Sequence, residues 1–128
     1  MSKKDALLTF QYLPPEAFSD VAVSYDHTVD LYSFGMLLSE LFSATVPFSL
    51  YTEYLRESTE EGHVWKNKGA DLKKAIHNGL RPQLPYQLNP VLSNMIEKAW
   101  HFEPSKRGSF KEIVGTLTSS FANQTLFV

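Results

Sequence analysis

The chain reads as a mostly α-helical domain built around one buried helix, with no significant β-sheet, and three observations predict this. The stretch Val29–Phe42 is apolar on nearly every side. Two later stretches repeat apolar residues at helical spacing behind clear start signals. No stretch shows the sustained alternation of apolar and polar residues that a half-buried strand requires.

The central helix is predicted at about 29–42. Val29, Leu31, Tyr32, Phe34, Met36, Leu37, Leu38, Leu41 and Phe42 leave little room for a wet face, and a helix apolar all round is normally buried. At about 1.5 Å per residue it spans roughly 21 Å, short of the ~30 Å hydrocarbon core of a bilayer. Asp26 or Thr28 is placed to cap it, and Asp30 in its first turn suits the helix dipole.

Ahead of this helix, residues 1–28 read as irregular. Pro14-Pro15 forbids a helix through that point, while Glu16-Ala17-Phe18 can begin a short one. Beyond it, Ser43-Ala44-Thr45-Val46-Pro47-Phe48 ends the helix. Leu50, Tyr51, Tyr54 and Leu55 could form two amphipathic turns, and 56–69 reads as a surface loop or insertion. Trp65 there either folds back onto the domain or marks a partner site.

Asp71 can cap a short helix carrying Leu72, Ala75 and Ile76 on one face, with Gly79 closing it. Leu80 to Pro85 is then an extended connector limited by its prolines. Asn89-Pro90 is a start signal, a capping side chain followed by proline at the first helical position. Leu92, Met95, Ile96, Ala99 and Trp100 follow on one helical face. Ser109 and Glu112 form a capping box for a last helix, whose apolar face is Phe110, Ile113, Val114, Leu117 and Phe121. The tail after Ala122 is expected to fray.

Length and composition fit one globular domain: 128 residues, 43% hydrophobic and 20% charged. A net charge of −2 gives no reason to expect nucleic acid or a membrane surface as partner. With no cysteine, thiolate metal sites, disulfides and thiol nucleophiles are excluded. His27, His63, His77 and His101 show no metal-ligand spacing. No secretory signal or membrane span is visible, so a cytoplasmic location is the default expectation.

Five short motifs, in order, resemble parts of the protein-kinase superfamily. Thr9-Phe10-Gln11-Tyr12-Leu13-Pro14-Pro15-Glu16 resembles the T-x-x-Y-x-A-P-E end of the activation segment. Asp30-Leu31-Tyr32-Ser33-Phe34-Gly35 resembles the D-x-[WY]-S-[FL]-G opening of the family's central helix. Val46-Pro47-Phe48 is similar to the x-P-F that follows that helix. Gly79-Leu80-Arg81-Pro82, with Leu84-Pro85, resembles the link found in tyrosine-kinase-like members. Trp100-His101-Phe102-Glu103-Pro104-Ser105-Lys106-Arg107 resembles the W-x-x-D/E-P-x-x-R element near the domain end. Thr9 with Tyr12 looks more like Ser/Thr or tyrosine-kinase-like (TKL) members than true tyrosine kinases. The chain departs from the pattern at Leu8 (usually glycine), Pro14 (alanine), Gly108 (often proline) and the long span between Phe48 and Asp71.

The resemblance implies an incomplete kinase C-lobe. Residues 1–8 would be a remnant of the activation segment, 9–118 a partial kinase domain with a surface insertion at 56–69, and 119–128 a C-terminal tail. It implies a buried ion pair between Glu16 and Arg107, far apart in sequence. Asp30 would hold the catalytic loop by its backbone, and Trp100 belongs to the same structural motif. Thr9, Tyr12, Leu13 and Pro14 would shape the substrate-side pocket for the residue after the phosphorylation site. Ser2 and Thr9 are candidate phosphoacceptors.

Kinase phosphoryl transfer needs a glycine-rich loop, a phosphate-contacting lysine, a catalytic aspartate and metal-holding asparagine and aspartate. The 128 residues contain no G-x-G-x-x-G, V-A-I-K, H-R-D or D-F-G. No catalytic, cofactor or metal residue is therefore assigned, and ATP and magnesium are expected only for a full-length parent kinase. Three functional readings follow: a C-lobe portion inactive alone, a pseudokinase-like interaction module, or an unrelated helical domain. The first two expect a protein partner: the missing kinase half, a kinase or a substrate protein.

Overall fold

A computed structural model describes residues 10–18, 26–48 and 68–127, and the architecture is helical. Helix α1 is His27–Ser43, α2 Lys68–His77, α3 Pro90–Ala99 and α4 Phe110–Ala122. Among the described residues, 3-10 turns at Phe10–Tyr12 and Pro15–Phe18 precede α1, and one at Pro104–Lys106 lies between α3 and α4. Among the described residues the only β feature is an isolated antiparallel bridge between Leu88 and Phe127. No described helix is long and apolar enough to cross a membrane.

Helix α1 is the axis of the packing. The Asp26 carboxylate accepts from the Thr28 amide and hydroxyl, so Asp26 is the cap and the helix starts two residues before Val29. Those two bonds hold the exposed Asp26 carboxyl below its ordinary pKa, the hydroxyl bond contributing most. Leu31, Tyr32 and Met36 are fully buried against Leu92, Ile96 and Ala99 of α3. Gly35 lies where the two helices meet: a Cβ there would stand 3.0 Å from the Ala99 Cβ and 3.5 Å from the Ile96 carbonyl oxygen. The helix tolerates glycine at that position because it permits the close crossing.

The expectation that α1 is buried all round is corrected. Leu37 and Leu41 are 41% and 67% exposed, and Asp30 lies on the same stripe at helical spacing. Apolar sequence predicts burial only where a neighbouring element arrives, and no described element covers that side.

The start of α2 also differs from the sequence reading. The surface insertion expected at 56–69 gives way to helix by Lys68, so Asp71 lies inside α2 rather than capping it. Lys68 and Ala70 favour helix, and one glycine at position 69 costs only about 1 kcal/mol, so the helix extends upstream. At its other end Gly79, with φ of 111°, forms a Schellman turn: its amide donates to Ile76 and that of Leu80 to Ala75.

Helix α4 presents Ile113, Leu117 and Ser120 inward, leaving Val114 and Phe121 about 60% and 59% exposed. The apolar face of α4 is thus narrower than its sequence suggested. Ser109 caps α4 by accepting from the Glu112 amide, while the Glu112 carboxylate pairs with Lys98 at 2.9 Å instead of closing the box.

The tail does not fray through Phe127. Gln124 takes a left-handed turn and sends Thr125–Phe127 back across Leu88 and Asn89. Residues 50–55, Trp65, His63, Ser2, Leu8 and Thr9 lie outside the described residues.

Candidate functional site

Among the described residues Arg107 makes the most side-chain hydrogen bonds. The Pro104–Lys106 turn delivers it inward, where its side chain is fully buried. All five guanidinium N–H donors find partners. Nη1 donates to Glu16 Oε2 at 2.6 Å and to the Thr28 carbonyl at 3.0 Å. Nη2 donates to Glu16 Oε1 at 2.8 Å and to the Phe102 carbonyl at 3.3 Å, and Nε to the His101 carbonyl at 2.7 Å. The planar fork of arginine meets both carboxylate oxygens at once, which lysine could not do. One side chain thereby ties the Pro15–Phe18 turn, the start of α1 and the loop after α3.

The local sequence sets up each partner. The Pro14 carbonyl accepts from the Ala17 amide, which winds the short turn carrying Glu16. After Arg107, Gly108 turns the chain at φ of 78°, a conformation closed to the proline often found there in the resembling family. A Cβ at Gly108 would stand 2.6 Å from Glu112 Oε2.

The residues around Tyr12 are built onto the same scaffold. The Tyr12 hydroxyl donates to Glu40 at 2.7 Å, and its carbonyl accepts from Ser33 Oγ at 2.8 Å. Burial, then the bond to Glu40 and its charge, push the Tyr12 pKa up to about 12. Buried Gln11 donates to the Pro47 carbonyl at 2.8 Å, tying this segment to the turn that follows α1. Pro14 is buried and Leu13 half-buried. Trp100 is buried at the end of α3, and its carbonyl accepts from Arg81 Nε at 2.9 Å.

The structure thus brings Glu16 and Arg107 together, with Tyr12, Pro14 and Trp100 on the same helical base. Asp30 stands apart. It is exposed in the first turn of α1, with no side-chain hydrogen bond or ion pair among the described residues. Among those residues, too, no three His, Asp or Glu side chains come together as a metal site.

Sequence reasoning placed Tyr32 in the buried helix and Arg81 in a motif, but gave neither of them, nor Glu40, a part in the site. Arg81 also donates to the Ile76 and Leu80 carbonyls, so it locks the end of α2 to the end of α3. Its burial lowers its pKa, opposed by the neighbouring Tyr32. The guanidiniums of Arg81 and Arg107 stand 5.2 and 5.1 Å from the Tyr32 ring centroid, within cation–π range. Arg81 and Tyr32 sit inside motifs already visible in the sequence. The contact of Tyr12 with Glu40, 28 residues away, left no local sign.

The buried Tyr32 hydroxyl has no hydrogen-bond partner among the described residues, and burial pushes its pKa up to about 12. Its neutral form is therefore favoured by the fold. The stabilisation is full below the ordinary tyrosine value near 10 and is lost as pH rises from there through about 12. Tyr32→Phe removes a polar atom that lacks a partner, so it should be neutral or stabilise the fold by about 1 kcal/mol. Urea midpoints at about pH 8 and pH 11 test both statements: the alkaline drop should shrink in the variant, with Tyr12 supplying the remainder.

Residues 1–117 match the family model described as protein tyrosine and serine/threonine kinase. The probable serine/threonine-protein kinase roco11 of Dictyostelium discoideum is 32% identical over 117 residues, covering 91% of this chain and 7% of that protein. Serine/threonine-protein kinase STY17 of Arabidopsis thaliana is 30% identical over 109 residues, 85% of this chain and 16% of that protein. Serine/threonine/tyrosine-protein kinase HT1 of the same plant is 33% identical over 109 residues, covering 85% and 24%. Among solved structures, the cryo-EM structure of the AtMLKL3 tetramer superposes with a TM-score of 0.64 at 27% identity. That likeness covers 86% of this chain and 18% of the other. The chain therefore spans about a quarter or less of each protein it resembles here.

Proposed function

Because the chain belongs to the protein tyrosine and serine/threonine kinase family, we propose that it forms the substrate-side part of a kinase C-lobe and does not transfer phosphate by itself. The parent activity is ATP-dependent protein phosphorylation of the Ser/Thr or tyrosine-kinase-like type. The observation that carries this reading is the fully bonded Arg107–Glu16 pair, which fixes the Pro15–Phe18 turn against the helical base. In this reading Tyr12, Leu13 and Pro14, with Thr9 ahead of them, form the seat for a substrate segment. Glu40 and Ser33 hold Tyr12 in place.

The residues present do not fit ATP and magnesium. Cradling phosphates takes closely spaced glycines and a lysine, and holding magnesium takes paired carboxylate and amide oxygens. The sequence supplies neither set in the family's spacing. Asp30 is the residue left over. It sits at the head of α1, exposed, where it could hold a catalytic loop supplied by another part of a kinase domain.

A second reading, a pseudokinase-like interaction module, is favoured by the exposed stripe of Leu37 and Leu41 below Asp30. Contiguous apolar surface on a folded domain marks a site for a protein partner.

One experiment separates the two. The pure 128-residue chain, given ATP, magnesium and casein, should transfer no more phosphate than a heat-killed control. The coding sequence upstream is then read for in-frame H-R-D and D-F-G, and the extended chain is assayed in the same way. Transfer by the extended chain supports the C-lobe reading, and a folded but inert one supports the interaction module. ATP-dependent autophosphorylation by the 128 residues alone would contradict both.

A further inference from the structure

The segment after α4 is arranged as a latch. At the end of that helix the Gln124 amide donates to Phe121 and the Thr125 amide to Ser120. This is a Schellman turn with glutamine, not glycine, in the left-handed position at φ of 54°. The next three residues lie across the start of α3. The Asn89 amide donates to the Leu126 carbonyl at 2.8 Å, and Asn89 Nδ2 to the Thr125 carbonyl at 2.5 Å. Leu88 and Phe127 form an antiparallel bridge. Leu126 packs against the core, and the Phe127 ring meets Phe42 of α1 edge-on at 6.1 Å.

Asn89 is therefore used twice. Its Oδ1 accepts from the Val91 amide as the cap of α3, while its two donors hold consecutive carbonyls of the tail. Main-chain bonds of this kind accept any extended segment, and the apolar pockets beside them choose the side chains. Here the choice is an adjacent leucine and aromatic, one on the core and one on Phe42.

We propose that Thr125–Phe127 is a releasable strap hinged at Gln124, covering an edge that takes an extended peptide with a leucine–aromatic pair. A glutamine in the left-handed region is disfavoured relative to glycine, so the hinge opposes docking while the Asn89 bonds and the Leu126 and Phe127 contacts favour it. Lifting the strap breaks no bond inside α3, because the Val91 cap uses a different atom of Asn89.

The test uses the full chain and a fluorescent synthetic peptide of residues 123–128. Leu126→Ser with Phe127→Ser lifts the strap and leaves Asn89, Leu88 and Phe42 in place. That variant should keep its helical circular dichroism and melt cooperatively. It should bind the peptide at least about tenfold more tightly than the unaltered chain, whose own strap competes at high effective concentration. In the unaltered background, Gln124→Gly should slow hydrogen exchange of the Asn89 amide about fivefold by relieving the hinge.

Equal peptide binding by the two chains, or none by a folded variant, overturns the proposal. Loss of cooperative melting in the double variant also overturns it, since the segment would then be part of the core. An Asn89 amide whose exchange is unchanged by Gln124→Gly removes the hinge.

Discussion

Arg107→Met should cost the fold about 3–5 kcal/mol, the range for removing one member of a buried ion pair. The variant strands the Glu16 carboxylate and also deprives the His101, Phe102 and Thr28 carbonyls of their donor. Glu16→Gln should cost less, near the lower end of that range, because the Glu16 side chain is 20% exposed and Arg107 keeps its three carbonyls. A domain of this size has a total stability of about 5–15 kcal/mol, so Arg107→Met could bring it close to unfolding. Urea denaturation followed by helical circular dichroism gives both numbers. Losses under about 1 kcal/mol for Arg107→Met would mean that the pair is a surface contact in effect.

The second large effect is expected at the crossing of α1 and α3. Gly35→Ala adds a Cβ 3.0 Å from that of Ala99, so a few tenths of an ångström must be found. The better helix propensity of alanine, about 1 kcal/mol, offsets that crowding, and the variant should be close to neutral. Gly35→Leu gains nearly the same propensity, but its bulk outweighs that gain. Its branched side chain meets Ala99, the Ile96 carbonyl and the Trp100 amide, and overpacking of that kind costs about 3 kcal/mol. Thermal melts of the two variants should differ widely, and Ala99→Gly should partly rescue Gly35→Leu. Equal melting temperatures for alanine and leucine would place the close approach elsewhere.

Much of the fold was legible because its signals are local. Asn89-Pro90 and Ser109 announce their helices by side-chain capping, and Gly79 ends α2 in a positive-φ conformation that glycine adopts more easily than other residues. The two ends of the Glu16–Arg107 pair are 91 residues apart. Nothing in the spacing joins them, and the expectation of a pair came through the family resemblance alone.

What was not legible depended on neighbours. The exposure of Leu37, Leu41, Val114 and Phe121 reflects where other elements happen to lie, which hydrophobic periodicity does not encode. The returning tail was missed because glutamine is not a usual turn residue, and its left-handed φ is sustained by contacts with Asn89 and Phe42. Tyr12 and Glu40 found each other across 28 residues through the path of the chain, not through any pattern in it.

The Pro15–Phe18 turn, with the segment before it, is stapled to the helical base by Glu16 and Arg107 acting as one unit. A double-mutant cycle on Glu16→Gln and Arg107→Met measures this directly. Residues that share a buried ion pair couple by about 0.5–3 kcal/mol, and the bidentate geometry predicts a value toward the top of that range. Losses that simply add, to within about 0.5 kcal/mol, would contradict the staple.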